Sequence, residues 1–357
     1  MSSLNVTYFG ATDVGKVRTN NEDTFIAQTI WDDRHILLVV IDGMGGEEGG
    51  EVAAEIARSS IVRYLEEFPN DTILNLIKRA VADANNEIVR NKEAQPRYRR
   101  MGCVATAGII DLDEKTLSVA HVGDSRLYRY SHGELIKLTH DHSLVGYQEE
   151  EGILTEEQAM KHPRRSVIER CLGSDNHLAD DASFIEAAVF PLFDEETYLF
   201  CSDGLCDVLT SSQIGNCLSS KLSPESECDK LITNANNAGG KDNITVVIAH
   251  ISESKDMSIS EQISECDAED NTEVSCGHST NKSKLKRVII KSLIIILYSV
   301  FLLTLGFWIG IKYESLQNNT TITITPKISV TNDAEIKGNI MPPDTFALNN
   351  DTIINNE

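Results

Sequence analysis

The sequence predicts a layered α+β domain over residues 1–251, on three observations. Short, β-rich apolar runs recur throughout this stretch. Four amphipathic helical segments interrupt them. Those segments come as two adjacent pairs, one after the third strand and one before the last. Strands in excess of helices, with the helices in hairpins, suggest two packed sheets with a helical pair on each outer side.

Strands are expected at 5–10, 23–27, 35–41, 102–110, 116–122, 126–130, 183–189, 197–201 and 244–251. Helices are expected at 49–67, 71–91, 211–219 and 225–239. In the second helix Ile73, Ile77, Ala80, Val81, Ala84 and Ile88 recur at three- and four-residue spacing, which lines one face. Periodicity by itself supports "α+β, layered" and no finer statement.

The 357 residues suit one catalytic domain with appendages, and 41% hydrophobic with 24% charged residues is ordinary globular composition. A net charge of −23 argues against nucleic acid as a partner, because phosphate backbones recruit Lys and Arg. The surplus of carboxylates suits divalent cations, although most acidic side chains only face solvent. Asp32, Asp33 and the glutamates at 149–151 read as such solvated faces. A monomer is expected. The eight cysteines include no C-x-x-C pair, and several lie in apolar runs, so buried free thiols are expected rather than disulfides or a zinc site. The N-terminus lacks the basic and apolar regions of a secretory signal.

Residues 288–311 form a candidate transmembrane helix. From Ser292 to Ile311 there is no charge, and twenty residues at ~1.5 Å each match a bilayer core. Trp308 and Tyr313 fall near its far end, where aromatic residues favour the interface. Lys282, Lys284, Lys286 and Arg287 precede it, while only Lys312 follows closely, which places the first 287 residues in the cytoplasm. Residues 252–287 read as a Ser- and acid-rich disordered linker ending in that basic cluster, and 312–357 as an extracytoplasmic tail.

Four acidic motifs fall at strand ends beside glycine or a turn. They are Arg18-Thr19-Asn20-Asn21-Glu22-Asp23, Asp42-Gly43-Met44-Gly45-Gly46, Ser202-Asp203-Gly204 and Gly240-Lys241-Asp242-Asn243. A strand end holds a carboxylate rigidly, and glycine lets the backbone turn and offer a carbonyl. Hard cations such as Mg²⁺ and Mn²⁺ take oxygen ligands of this kind. Each motif alone is weak, since Asp-Gly is a common turn. Four in order within one domain are specific.

Together with Gly123-Asp124-Ser125-Arg126 and His162-Pro163-Arg164-Arg165, the motifs make the chain similar to the metal-dependent protein phosphatases of the 2C type, in their bacterial form. The resemblance covers nearly all of 1–251. It implies a four-layer α-β-β-α sandwich, with a central antiparallel β-sandwich flanked by helix pairs. It also implies two Mn²⁺ or Mg²⁺ ions at one end. Carried over residue by residue, Asp42 bridges both ions and the Gly43 carbonyl ligates the second. Asp203 and Asp242 ligate the first, Glu22 holds metal waters, and Asp23 orients the bridging water. Asp124 joins a third, weaker metal site. Arg18 clamps the substrate phosphate with its planar fork. The implied reaction is hydrolysis of phosphoserine and phosphothreonine in proteins by a metal-activated water, with no phosphoenzyme. Reversal of a serine/threonine kinase at the membrane is the implied role.

One departure concerns the general acid. Some members carry His directly after the Asp-Gly of the second motif, where this chain has Met44, so no acid residue is assigned. His140-Asp141-His142 invites a metal reading, but the resemblance places it before a mobile flap at roughly 143–163 and favours a structural or hinge role. Arg164 and Arg165 are expected to contact a carboxylate or pack near the flap, with a phosphopeptide contact as the lesser alternative. Two rival functions stand beside the general enzyme: a non-catalytic membrane-bound sensor of the same fold, and a phosphatase dedicated to one regulatory phosphoprotein.

Overall fold

The computed structural model describes residues 3–45 and 49–253. The chain divides into two compact units, Met1–Cys266 and Asp267–Glu357, and every described residue belongs to the first. Gly46, the predicted linker beyond residue 253, the predicted span at 288–311 and the tail at 312–357 lie outside the described residues. Among the described residues, no helix is long and apolar enough to cross a membrane.

In chain order the elements are β1 (Leu4–Asp13), β2 (Thr24–Thr29), β3 (His35–Met44), α1 (Gly49–Glu67), α2 (Ile73–Ala94), β4 (Gly102–Asp111), β5 (Thr116–Val122), β6 (Arg126–Ser131), β7 (Glu134–Lys137), α3 (Leu144–Glu150), α4 (Glu156–Ala159), β8 (Glu186–Pro191), β9 (Thr197–Cys201), α5 (Asp203–Cys206), α6 (Ser211–Leu218), α7 (Pro224–Asn237) and β10 (Ile244–Glu253). They form two five-stranded sheets, ordered β1-β10-β9-β6-β7 and β2-β3-β4-β5-β8. All ladders are antiparallel.

Side-chain alternation explains the layering. Along β3, Leu37, Val39 and Ile41 pack with Ile61 of α1 and Ile77 of α2. The intervening Ile36, Leu38 and Val40 pack against Phe200 and Val247 of the opposite sheet. Along β10, Val247, Ala249 and Ile251 face the inter-sheet core, while Ile244, Val246 and Ile248 meet Ile214 of α6 and Leu231 of α7. A strand whose successive side chains point to opposite faces reads as an unbroken apolar run when both faces are covered. The three cores therefore stack as helices, sheet, sheet, helices.

Helix starts follow local chemistry. Thr72 and Ser223 accept backbone N–H bonds at the heads of α2 and α7, and Pro224 occupies the first turn of α7. Thr210 and Gln213 form a reciprocal cap at the start of α6.

The expected strands all occur, with two differences. β8 begins at Glu186 rather than 183, because Asp181 gathers the chain into a turn: its Oδ1 accepts from the Ser183 N–H, and its carbonyl accepts from Phe184 and Ile185. β7 was not anticipated. His132 and Gly133 both have positive φ, at 51° and 86°, and make the tight turn that pairs Ser131 with Glu134. The described cysteines, Cys103, Cys171, Cys201, Cys206, Cys217 and Cys228, are free thiols, and all but Cys171 are buried. Cys266 and Cys276 lie outside the described residues.

Candidate active site

Strand register brings the predicted acids to one end of both sheets. In one sheet Asp13 pairs with Ile244, Val246 with Cys201, and Cys201 with Arg126. Asp242, Asp203 and Asp124 therefore sit just beyond three neighbouring strand ends. In the other sheet Thr24 pairs with Ile41 and Asp42 with Val104, which carries Glu22, Asp23 and Asp42 to the same end. Ser202 continues the β9–β10 pairing up to Asp203, since its N–H donates to the Thr245 carbonyl and its Oγ accepts from the Thr245 N–H, both at 3.0 Å.

Glycine is needed where backbones touch. A Cβ on Gly43 would lie 2.5 Å from the Glu22 carbonyl and 2.3 Å from that of Gly50. A Cβ on Gly204 would lie 1.9 Å from the Asn243 carbonyl. The first contact seats Asp42 against the Glu22 and Gly50 backbones and the second clamps the Asp203 and Asp242 segments together, so Gly204→Ala is expected to cut turnover by on the order of tenfold or more through misplacement of Asp203. Steady-state kinetics beside a thermal melt checks this. Full turnover in a folded variant would contradict the clamp.

Arg18, Glu22, Asp42, Gly43, Asp203 and Asp242 line one cleft of about 650 Å³. Asp23 lies behind it, buried, with Thr245 donating to its Oδ2 at 2.7 Å. Asp124 lines an adjoining cavity that shares Asp203 and also holds Asp207, Arg126 and Asp141. The structure thus gathers every predicted site residue into one cleft, the space behind it and the cavity beside it. Arg18 Nη2 donates to Asp242 Oδ2 at 2.8 Å.

Electrostatics mark the cleft. Burial, then the neighbouring carboxylates Asp23, Asp203, Asp124 and Asp242, push the Asp42 carboxyl far above its usual range. Burial and the nearby Asp124, Asp207, Asp242 and Asp23 do the same to Asp203. Asp23 is raised to about 6 by burial, against the hydrogen bonds from Thr245 and Ser202. Asp124 is raised to about 7 by burial and by Asp141 and Asp207. Burial likewise lifts Glu22. Among the described residues lining the cleft, Arg18 is the one cation. Converging oxygen donors with so little positive charge among them fit a hard divalent cation.

A model of the family described as "Protein phosphatase 2C" matches residues 15–228. The chain belongs to the protein phosphatase 2C family. It is 34% identical over 245 residues to the serine/threonine phosphatase stp of Listeria welshimeri, covering 66% of this chain and 92% of that protein. It is also 34% identical over 249 residues to the serine/threonine protein phosphatase PstP of Mycobacterium tuberculosis, covering 70% of this chain and 46% of that one. The crystal structure of M. tuberculosis PstP/Ppp superposes with a TM-score of 0.61 at 32% identity, over 70% of this chain and 99% of that one. A PstP catalytic domain in complex with two manganese ions superposes with a TM-score of 0.60 at 31% identity, over 70% of this chain and 100% of that one.

In this 2C phosphatase the segment after Asp141 carries two short helices. Ser143 and Thr155 cap α3 and α4, and Ser143 bridges to Ile168. Ser166 and Ile168 reach the catalytic cleft. Arg165 donates to Asp207, one helical turn past Asp203, so the expected carboxylate contact is present. Glu149 and Glu150 correct the sequence reading. Glu149 accepts from Arg126 Nη2 at 2.9 Å and Glu150 from Lys137 Nζ at 2.7 Å, so they are paired rather than merely solvated. Arg126, 9% exposed, also donates from Nε and Nη2 to the buried Asp141. Arg126→Ala strands the Asp141 charge in the interior and is expected to cost about 3–5 kcal/mol of stability, read by urea denaturation. A loss below about 1 kcal/mol would show that Lys137 alone satisfies Asp141.

His121, His142 and Glu186 approach one another, with ligand-type atoms within 4.8 Å. Their hydrogen bonds indicate a brace rather than an ion site. His121 Nδ1 meets Thr106 Oγ1 at 2.9 Å, and its Nε2 faces the Gly123 and His140 carbonyls, each at 3.0 Å. His142 Nδ1 accepts from the Gly123 N–H, and Arg170 Nη1 lies 3.3 Å from its Nε2. His140 meets Glu186 through Nδ1 at 2.9 Å. The two histidines flanking Asp141 thus fasten the entry to the flap, in line with the structural role expected of them.

Sequence reasoning gave no role to Asn243, Thr245, Asp207 or Glu51. Asn243 accepts the Glu22 N–H and donates to the Val14 and Asn20 carbonyls, tying the loop that carries Arg18 to β10. Glu51 lines the cleft and accepts from Asn20. Asp207 carried a sequence signal, since a carboxylate four residues after Asp203 on a helix shares its face. Asn243 stands in the Asp242 motif without a role of its own, and nothing local marks Thr245 or Glu51.

Proposed function

We propose that the chain is a metal-dependent protein serine/threonine phosphatase, tethered to a membrane through residues 288–311 with its catalytic domain in the cytoplasm, where it reverses a serine/threonine kinase. The observation that carries the catalytic reading is the meeting of Glu22, Asp42, Asp203 and Asp242 in one cleft with Arg18. Relatives named as serine/threonine phosphatases at 34% identity support it. A non-catalytic sensor of the same fold would be expected to lack some of these acids, and none is missing.

Asp42, Asp203, Asp242, Glu22 and the Gly43 carbonyl would hold two ions, Mn²⁺ or Mg²⁺, and Asp124 would contribute to a third. Such ions, when bound, make a water more acidic and offset charge on a phosphoryl group. The remaining work belongs to side chains. Arg18 is placed to take two phosphoryl oxygens with its planar fork. Asp23, fixed through Oδ2 by Thr245, is placed to orient the attacking water and accept its proton. Ser166 and Ile168, just past the flap, line the same cleft. Met44, beside Gly43, can donate no proton, so that position supplies no acid for the leaving oxygen.

Hydrolysis of p-nitrophenyl phosphate by the full chain, with and without Mn²⁺, tests the catalytic reading. Turnover that persists in excess chelator would reject it. Alkaline extraction of membranes from cells expressing the full chain tests the tether: it should stay in the pellet, and release to the supernatant would reject the span.

A further inference from the structure

The pairing of Arg18 with Asp242 joins two groups that the reading above assigns to different tasks, one to substrate phosphate and one to an ion. Both Asp242 oxygens are engaged. Oδ1 accepts from the Asn243 N–H at 2.9 Å and Oδ2 accepts from Arg18 Nη2 at 2.8 Å. Oδ1 is held by backbone immediately next in the chain, so Oδ2 is the atom with freedom to change partner. Arg18 has that freedom as well, with its side chain 51% exposed against 35% for Asp242. It is also the one cation among the described residues lining a cleft that holds Glu22, Asp42, Asp203 and Asp242.

We propose that Arg18 is a two-position latch: closed on Asp242 Oδ2 it competes with the divalent ion for that carboxylate, and open it is free to receive a phosphoryl group. This rests on the phosphatase reading and deepens it. The consequence is a linkage. An ion that captures Asp242 releases Arg18 for the phosphate, and a phosphate that draws Arg18 away frees Asp242 for the ion. Coupling of this sort must be reciprocal. A bare Coulomb effect of a nearby cation would also weaken ion binding, but it would act on every carboxylate in the cleft and would not need Asp242.

That difference sets the experiment: Mn²⁺ titration by calorimetry into the full chain and its Arg18→Ala, Asp242→Asn and doubly substituted forms, all without phosphate. Arg18→Ala is expected to tighten Mn²⁺ binding roughly two- to fivefold, the range a partly exposed ion pair supports. The gain should vanish when Asp242 is already Asn. Unchanged or weaker Mn²⁺ binding in Arg18→Ala, or an equal gain in both backgrounds, would overturn the latch. A thermal melt of each variant guards against misfolding, to which a half-exposed side chain is little prone. The two readings fail differently: a chain that binds no Mn²⁺ at all loses the phosphatase assignment too, whereas intact binding indifferent to Arg18 loses only the latch.

Discussion

Replacing Asp203 by Ala is expected to lower Mn²⁺-dependent turnover by about 10²–10⁴-fold while the protein stays folded. The side chain opens a four-residue helix directly beyond β9, where the Ser202–Thr245 bonds and the close approach of Gly204 to Asn243 fix its position. It lines both the catalytic cleft and the cavity of Asp124, so its loss removes a carboxylate from each. Its own burial among carboxylates is unfavourable in the absence of an ion, which is why the protein need not be weakened. Metal-free Asp203→Ala should melt no lower than the metal-free parent. A rate within tenfold of the parent would remove Asp203 from the reaction.

Mn²⁺ is expected to stabilise the fold by an increment that grows as pH rises from about 5 to about 7.5. The sign follows from the raised carboxyls. Asp23, near 6, and Asp124, near 7, hold protons in the folded state that the unfolded chain releases at its ordinary value of 3.8. The folded state then binds more protons, so the metal-free fold loses stability as pH climbs through that window. Asp23 alone represents on the order of 3 kcal/mol. A divalent ion replaces those protons as counter-charge, and its binding releases them. His121 acts in the opposite sense. Burial, with His142 beside it, depresses it to about 4, and its contribution is lost as pH falls from 6.5 toward that value. It lies outside the acid cleft and titrates with or without the ion, so the Mn²⁺-induced increment isolates the acids. Glu186, lowered to about 2 although burial opposes the His142 and His140 hydrogen bonds responsible, matters only below the window. Scanning fluorimetry of chelator-treated protein across this range, with and without saturating Mn²⁺, reads the increment directly. An increment that shrinks toward alkaline pH would contradict the electrostatic account.

Much of this was legible in the chain. Runs such as His35–Met44 are apolar at both parities because each face meets a different core, and they identify themselves as interior strands. Asp42, Asp203 and Asp242 stand next to glycine or a turn at the ends of such runs, so the local pattern already says where a rigid carboxylate can be presented. What escaped depends on partners far away in sequence. Glu149 looks like any surface glutamate until Arg126, 23 residues earlier, is placed under it. His121 gives no hint of its neighbours until β5 is laid beside the segment holding His142. Asn243 was visible in its motif, but its grip on the Arg18 loop spans more than two hundred residues. β7 is only four residues long and rests on one turn.

The pairing of the first and last strands has a geometric result of its own. Leu4 lies opposite Glu253, and Asp13 lies opposite Ile244. Ten residues of extended chain at ~3.4 Å each put the exit of β10 about 30 Å from Asp242. Leu4 and Glu253 therefore lie at the pole away from the reaction. A dye attached at Leu4 or Glu253 would sit at that pole, far from the cleft that bulky phosphoprotein clients enter.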